Sequence, residues 1–338
     1  MKTIKQSMLD LDLVGSMRAV MTAGIACDRD NVAAYNCSYR EMNGSGEKLH
    51  VLTDEMKEAG LDEPVTICIS SPICFDEVMY ILLCGTGVGF SCERQVVANL
   101  PTVGHKTPRN IYSKTQVNFP GVDKDDLSTY NRTENKIYVA DTKYGWASAL
   151  RILIVELYNG NKDVSWDLSA VRKAGEPLKT FGGRASGPEP LNALFNYCVN
   201  VFSSANLRKL TSIEVHGIVC KIAQVVVVGG VRRSALISLS NLSDDRMRHA
   251  KSGSWWDKDT GNPEFQLANN SIAYTEKPDL ETYLREMTAL IESKSGERGI
   301  YNKKAAATQA AKWNRRDANR DYGTNPCSEI ILRDKQFC

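Results

Sequence analysis

The chain has 338 residues, of which 42% are hydrophobic and 24% charged, and its formal net charge is +2. These proportions are typical of a globular protein of one large or two ordinary domains. So small a net charge gives no reason to expect a nucleic-acid or membrane surface, and no apolar run reaches the roughly 18 residues of a membrane span. The first residues lack the apolar core of a signal peptide, so we expect a cytoplasmic protein.

Apolar spacing and turn-forming residues predict the elements of the first half of the chain. In chain order these are a helix over 8–24, a short strand within 31–39, a polar helix-prone segment over 41–62, a helix over 73–84 and a glycine-rich loop over 85–89. Residues 100–137 are rich in Lys, Asp, Asn, Pro and Thr and show no clear period. That composition predicts a polar surface insertion.

The second half alternates more regularly between strand and helix patterns. The predicted elements are a helix over 146–158, a strand edge over 165–172, a glycine loop over 181–188, helices to about 206 and over 211–228, a strand over 231–240, a polar loop over 243–264, a strand over 269–274, a charged helix over 279–295 and a loop-to-strand junction over 296–302. Strands that alternate with helices of ten or more residues indicate an α/β fold with parallel strand pairs. The pattern does not separate a barrel from an open sheet.

The chain contains ten cysteines: Cys27, Cys37, Cys68, Cys74, Cys84, Cys92, Cys198, Cys220, Cys327 and Cys338. None forms the close pairs of a zinc ribbon, and no other metal-ligand spacing is present, so we expect no metal site. A cytosolic location also argues against structural disulfides. Seven of the ten are expected to be small buried hydrophobic residues, whereas Cys37, Cys327 and Cys338 call for another explanation.

The segment Asn325-Pro326-Cys327-Ser328-Glu329 places an amide, a thiol and a carboxyl on alternating residues. In an extended loop, residues two apart point the same way, so Asn325, Cys327 and Glu329 would share one face. Such a group can serve one-electron chemistry or nucleophilic attack. A turn that holds a buried cysteine explains the pattern equally well, and the spacing alone does not decide between them.

The longer segment Gly323-Thr-Asn-Pro-Cys-Ser-Glu-Ile-Ile-Leu332 resembles the finger loop of ribonucleotide reductases. The resemblance implies that Cys327 becomes a thiyl radical that removes the 3′ hydrogen of the substrate ribose. It implies further that Asn325 holds the ribose by a hydrogen bond and that Glu329 acts as general base or acid. In this family a cysteine pair reduces the substrate and ends as a disulfide. Cys37, which follows the substrate-binding position Asn36, and Cys338 match that pair.

Other segments resemble the same family in the same order along the chain. Cys84-Gly-Thr-Gly-Val-Gly-Phe-Ser91 resembles a glycine loop near the substrate phosphates, which implies substrate contacts from Gly85, Gly87 and Gly89, with Ser71 nearby. Phe181-Gly-Gly-Arg-Ala-Ser-Gly-Pro-Glu-Pro-Leu191 resembles a segment of the adenosylcobalamin-dependent members. It implies that Gly182, Gly183 and Ser186 contact the cofactor.

Two segments resemble the borders of the loops that sense an allosteric deoxyribonucleotide, here placed at 241–258 and 261–270. They are Val228-Gly-Gly-Val-Arg-Arg-Ser234 and Asn269-Asn270-Ser271, which imply effector contacts from Arg232, Arg233 and Asn269. A solvated charge pair is the alternative for the two arginines.

The resemblance implies a radical source outside the residues of this chain. Adenosylcobalamin is favoured by the loops at 85–90 and 181–191, and the alternative is a separate metal-containing radical subunit acting on diphosphate substrates. The insertion at 100–137 resembles that of monomeric members, which implies a monomer that uses ribonucleoside triphosphates. The resemblance to the family as a whole implies a dNTP effector and a thioredoxin-like reductant. His216, within an apolar helix, is interpreted as a core histidine.

The barrel of this family has ten strands in two parallel halves of five. Residues 1–338 are therefore expected to form an incomplete barrel domain: the first half-barrel, with effector loops at 241–270 and the finger loop at 323–338. We expect the chain to need a C-terminal half, supplied from a divided gene or after an intervening sequence, and to be inactive without it. The alternative is a nucleotide-binding remnant without catalysis.

Overall fold

The computed structural model describes residues 3–51, 57–60, 65–104, 122–177, 184–226 and 235–338. Its α-helices are α1 (Ile4–Leu9), α2 (Met17–Thr22), α3 (Ile25–Arg29), α4 (Cys74–Leu83), α5 (Arg94–Val97), α6 (Lys143–Tyr158), α7 (Glu189–Ser204), α8 (Ser212–Val225), α9 (Asp245–Arg248), α10 (Leu280–Ser293) and α11 (Lys303–Ala311). Its strands are β1 (Cys37–Glu41), β2 (Ser45–Val51), β3 (Val65–Ser71), β4 (Gly87–Ser91), β5 (Thr129–Asn131), β6 (Lys136–Tyr138), β7 (Ser165–Asp167), β8 (Leu236–Asn241), β9 (Ala268–Tyr274), β10 (Gly299–Asn302), β11 (Gly323–Thr324), β12 (Ile331–Leu332) and β13 (Gln336–Phe337).

The main sheet has the order β10-β9-β8-β4-β1-β13. Its first five strands are parallel to one another, and only β13 runs antiparallel to its neighbour β1. Parallel strands that follow one another around a sheet, with helices in the connections, are the half-barrel predicted from the sequence. The amino ends of β1 and β4 lie side by side, because Cys37 pairs with Gly87.

The outer face of this sheet carries the main hydrophobic core. Because side chains alternate across a strand, Val88 and Phe90 of β4 point to this face, where they join buried residues of α4, α6, α7 and α8. Helix α8 begins with a capping box in which the side chain of Glu214 accepts from the backbone N–H of Thr211. Full burial of each large apolar side chain contributes about 1.5–3 kcal/mol, so this layer fixes the curvature of the sheet.

The inner face carries a second, smaller cluster. Tyr39 of β1, Leu239 of β8, Ala273 of β9 and Tyr301 of β10 are buried there together with Tyr322 and Leu332. The last two residues belong to the segment that contains the predicted finger loop. The inner face of the half-barrel is therefore covered by that segment.

Two smaller sheets lie apart from the main one: the antiparallel hairpin β2–β3 and the three-stranded sheet β5-β6-β7. Strand β5 and most of β6 lie within the polar segment predicted as an insertion at 100–137, of which residues 105–121 lie outside the described part. Among the helices that the structure describes, none is long and apolar enough to cross a membrane.

Most predicted elements of the second half are confirmed within a few residues. Helix α6 begins three residues earlier than predicted, because the hydroxyl of Thr142 accepts from the N–H of Gly145 and caps it. The predicted strand at 231–240 is confirmed as β8, with residues 231–234 outside the described ranges. The predicted polar loop at 243–264 also contains the short helix α9.

Three predictions for the first half are wrong. The helix over 8–24 is interrupted between α1 and α2, where Leu11 has a φ of +60° that a helix excludes. The helix-prone segment at 41–62 contains the strand β2. The glycine loop at 85–89 is a turn only at Gly85, whose φ is +76°, because Gly87 and Gly89 lie within the buried strand β4.

Candidate active site

The predicted finger loop is a β-hairpin. Strands β11 and β12 pair antiparallel, with Gly323 opposite Leu332 and Thr324 opposite Ile331. Residues 325–330 form its tip, in which Ser328 has a φ of +65°. The expectation of an extended loop with Asn325, Cys327 and Glu329 on one face is therefore wrong: the tip is a turn that buries Asn325 and exposes Cys327 and Glu329.

Asn325 nevertheless connects the residues of this tip. Its side-chain amide donates to Oε1 of Glu329 at 2.7 Å, and its side-chain oxygen accepts from the N–H of Ile330 at 3.0 Å. Its backbone oxygen accepts from the N–H of Ser328 at 3.0 Å. A fully buried amide with these partners has little freedom, so it fixes the Glu329 carboxylate beside Cys327.

Glycines of β4 let the hairpin lie directly on the sheet. A Cβ atom at Gly89 would lie 1.8 Å from the carbonyl oxygen of Thr324, and one at Gly87 would lie 2.9 Å from Cγ of Pro326. On the hairpin side, a Cβ at Gly323 would lie 2.0 Å from the ring of Tyr39. These positions need glycine for close approach of the backbone.

The chain after the hairpin returns along β1 as β13 and brings Cys338 to Cys37. The N–H of Cys338 donates to the carbonyl oxygen of Cys37 at 2.9 Å. Asp334 holds this return, because its carboxylate accepts from Nη1 of the buried Arg40 at 2.7 Å and from the N–H of Glu41 at 2.8 Å. Cys327 and Cys338 thus lie close to Cys37, which is far from both in sequence, at the amino end of β1 and β4.

The surroundings raise the pKa of two of these thiols, Cys37 and Cys327. Partial burial raises the pKa of Cys37, a hydrogen bond with Asn325 opposes that rise, and the neighbouring Cys338 adds to it. The pKa of Cys327 is also raised, by burial first and then by the carboxylate of Glu329 and by Cys37. A thiol, and not a thiolate, carries the hydrogen atom that one-electron chemistry removes.

Two residues next to the hairpin were missed by the sequence reasoning. Tyr301 donates from its hydroxyl to the carbonyl oxygen of Gly323 at 2.7 Å. Lys303 donates to Asp321 at 2.9 Å and to the buried Glu93 at 2.5 Å. Neither residue stands in a motif, so no signal in the sequence marks them.

Asn36 and Gly85 lie near the thiols and share one partner. Arg18 donates from Nε to the side-chain oxygen of Asn36 at 3.1 Å and from Nη2 to the carbonyl oxygen of Gly85 at 2.6 Å. The carbonyl oxygen of Asn36 accepts from the N–H of Gly87 at 2.9 Å. Ser71 is buried at the end of β3, in the smaller hairpin rather than in the main sheet.

Of the residues predicted to contact the cofactor, Gly182 and Gly183 lie outside the described residues, and Ser186 is half-buried just before α7.

His216 is fully buried and its Nε2 lies 3.5 Å from Sγ of Cys220, so it is a core histidine that cannot reach a bound cofactor. Burial lowers its pKa to about 3. Cys327 is exposed, which fits a large cofactor approaching from solvent at the tip of the hairpin. Within the described ranges no group of three His, Cys, Asp or Glu residues could hold a metal ion.

The predicted effector loops line an open pocket of about 320 Å³. Its lining includes Arg246, His249, Trp255 and Phe265. Arg232 and Arg233 lie outside the part of the chain that is described. Asn269 is exposed on β9, opposite Ile237 of β8, and strand alternation places it on the inner face with Gly89.

The sequence matches known reductases. A family profile described as "B12-dependent ribonucleotide reductase, insertion domain" matches residues 107–202. The adenosylcobalamin-dependent ribonucleoside-triphosphate reductase of Lacticaseibacillus paracasei is 30% identical over 281 residues, which cover 78% of this chain and 36% of that protein. The enzyme of the same name from Lactobacillus acidophilus is 29% identical, with the same two coverages.

The fold matches as well. A crystal structure of a B12-dependent (class II) ribonucleotide reductase superposes with a TM-score of 0.62 at 22% identity, covering 96% of this chain and 44% of that one. The chain thus has the fold of one half of a reductase barrel, with a hairpin across its inner face. It belongs to the ribonucleotide reductase family, and the relatives named above belong to the adenosylcobalamin-dependent branch. The chain spans somewhat more than a third of the length of those curated relatives.

Proposed function

We propose that this chain supplies the radical cysteine and the substrate-reducing thiols of an enzyme that reduces ribonucleoside triphosphates to 2′-deoxyribonucleotides. The observation that carries the proposal is the meeting of Cys327, Cys37 and Cys338 at one end of the half-barrel, with Asn325 and Glu329 beside them. The relatives are named for this activity, and their alignment covers most of the chain.

In this proposal Cys327 removes the hydrogen atom from C3′ of the ribose. Glu329 takes the proton of the 3′-hydroxyl, because its exposed carboxylate is held at 2.7 Å by Asn325 and points to the open side of the tip. Cys37 and Cys338 supply two electrons and two hydrogens: one hydrogen protonates the 2′-hydroxyl, which leaves as water, and the other takes its place at C2′. Cys327 then returns its hydrogen atom to C3′, and Glu329 returns the proton to the 3′-oxygen. They end as a disulfide, and their backbone hydrogen bond already places them side by side.

Adenosylcobalamin, when bound, would supply the one-electron oxidation that converts the Cys327 thiol to a thiyl radical. The exposed position of Cys327, the loop around Ser186 and the names of the relatives support this cofactor over a separate metal subunit. A thioredoxin-like dithiol would re-reduce the cysteine pair, and the pocket within residues 246–265 would take part in binding a dNTP effector.

The sheet supports a partner for the barrel. Strand β10 forms one edge of the main sheet, and its residue Ile300 is 56% exposed. An open edge with exposed apolar side chains favours pairing with further strands. We propose that the remaining strands of the barrel, from the same polypeptide or from a separate one, complete the active site.

The test uses the chain together with the polypeptide that carries those strands. Formation of dNTP is measured with adenosylcobalamin and a dithiol, for the unchanged protein, for Cys327→Ser and for the control Cys27→Ser on α3. We expect Cys327→Ser to lose turnover and to keep nucleotide binding, while Cys27→Ser behaves as the unchanged protein. Turnover by Cys327→Ser would refute the proposal, and nucleotide binding without turnover in every variant would indicate a remnant.

A further inference from the structure

The stem of the finger hairpin is held by two residues where strand β10 ends and helix α11 begins. Tyr301 lies on β10, and Lys303 is the first residue of α11. The hydroxyl of Tyr301 donates to the carbonyl oxygen of Gly323, and the ammonium group of Lys303 donates to Asp321. The hairpin is therefore attached to β10 at Gly323, and the residue two positions before it is attached to the start of α11.

Gly323 is confined from the opposite side as well. The ring of Tyr39 lies where a Cβ of Gly323 would be, only 2.0 Å from it. One glycine is thus fixed between a ring on β1 and a hydroxyl on β10, at opposite edges of the parallel strands. It is the first residue of β11, and only three residues separate it from Cys327.

We propose that the hydroxyl of Tyr301 is a positioning group that sets where Cys327 stands relative to Cys37. The proposal rests on the proposed function, because it concerns the cysteine that acts on the substrate. Tyr301 does not touch the reacting atoms and acts only through the backbone of Gly323. Reactions that need aligned atoms are sensitive to displacements of about 1 Å, which can cost about 100-fold in rate.

The surroundings suit this role. Tyr301 is 8% exposed, and burial together with the carboxylates of Asp321 and Glu93 raises its pKa, so the hydroxyl stays a donor. The carbonyl of Gly323 lies in a buried strand, where a lost donor is not replaced by bulk water. Removal of this one hydroxyl should therefore let the stem shift towards another donor.

The chain offers a matched control in Tyr322. It is also buried, it also donates from its hydroxyl to a backbone carbonyl, and it precedes Gly323 directly. Its acceptor is Asp317, in the exposed stretch before the hairpin, and not a residue of the hairpin itself. Tyr301→Phe and Tyr322→Phe thus remove the same chemical group from similar depth, and only the first releases the hairpin.

The first measurement is alkylation of Cys327 on the whole chain, followed by peptide-resolved mass spectrometry across a pH series. Cys327 has a raised pKa because of partial burial, Glu329 and Cys37. When the stem shifts, Cys327 moves away from these neighbours and its pKa falls. We therefore expect Cys327 to be alkylated at least about twofold faster in Tyr301→Phe than in the unchanged chain near neutral pH. Tyr322→Phe should match the unchanged chain.

The second measurement is turnover of the completed enzyme. We expect Tyr301→Phe to lower kcat at least about tenfold with KM changed less than about threefold, because the loss lies in alignment and not in binding. Equal behaviour of the two variants in the alkylation series would overturn the proposal, and so would a Tyr301→Phe chain that fails to fold while Tyr322→Phe folds. If the unchanged enzyme does not reduce nucleotides, the proposed function fails, and the alkylation series still decides the role of Tyr301.

Discussion

Replacement of Gly89 by alanine tests whether the hairpin really lies on β4. The new Cβ would be 1.8 Å from the carbonyl oxygen of Thr324, whereas ordinary contact begins at 3.4 Å, so the two backbones must separate by about 1.6 Å. Neither backbone is the end of a flexible side chain. Overpacking of a buried site costs about 1–3 kcal/mol of the free energy of unfolding. A displacement of this size three residues from Cys327 should lower turnover at least about 100-fold.

The assay is a graded series of three glycine variants, each measured for unfolding in urea and for turnover of the completed enzyme. At Gly87 the nearest atom to the new Cβ is Cγ of Pro326 at 2.9 Å, so the required shift is only about 0.5 Å. At Gly15 the nearest atom is Cγ2 of Val20 at 3.4 Å, so no shift is needed. We expect losses in the order Gly89→Ala, Gly87→Ala, Gly15→Ala. Full activity of Gly89→Ala with unchanged stability would show that the hairpin does not lie on this strand.

Three further variants test charged groups in the main sheet and in the helix α10. Burial, aided by nearby carboxylates, raises the pKa of Glu41 to about 7, so the folded state binds this proton more tightly than the unfolded state. Stability should therefore fall as the pH rises from about 4.5 to about 7, and Glu41→Gln should flatten that fall in urea unfolding; an unchanged slope contradicts the assignment. Asp334→Asn should slow the diamide oxidation of Cys37 with Cys338 by about tenfold, because the loss of the carboxylate weakens the contacts that hold β13 against β1. An unchanged oxidation rate would mean that β13 stays in place without this carboxylate. Glu286→Gln should cost about 3–5 kcal/mol in urea unfolding, because Glu286 lies buried between two arginines, and a cost under about 1 kcal/mol refutes this.

The elements whose pattern arises from local sequence were predicted well. Helices α6, α8 and α10 have capping residues and apolar spacing in their own sequence, so they can be predicted without knowledge of the residues that pack against them. The segment over 8–24 has helical composition throughout, yet the chain breaks at Leu11, which no local signal marks. Leu11 is 81% exposed, so packing does not explain the break, and helix propensity does not predict it either.

The sequence predicts which cysteines belong to the site, but it does not predict how the hairpin packs against the sheet. The pattern Gly85-Thr-Gly-Val-Gly89 is typical of a loop around an anion, whereas in the structure two of its glycines make room for a second backbone. Spacing does not distinguish these uses, because both need a residue without a side chain. The contact of Tyr301 with Gly323 joins residues that no periodicity relates, so it is visible only when the strands are assembled.

The pairing of β1 with β13 has a consequence for how the protein is made. Cys37 and Cys338 are far apart in sequence, so their contact closes a very long loop. Contacts of such separation form slowly and require the intervening strands to be in place first. During synthesis, Cys37 emerges from the ribosome long before its partner exists. Until β13 and Cys338 have been synthesised, the order of translation itself prevents Cys37 from forming a disulfide with Cys338.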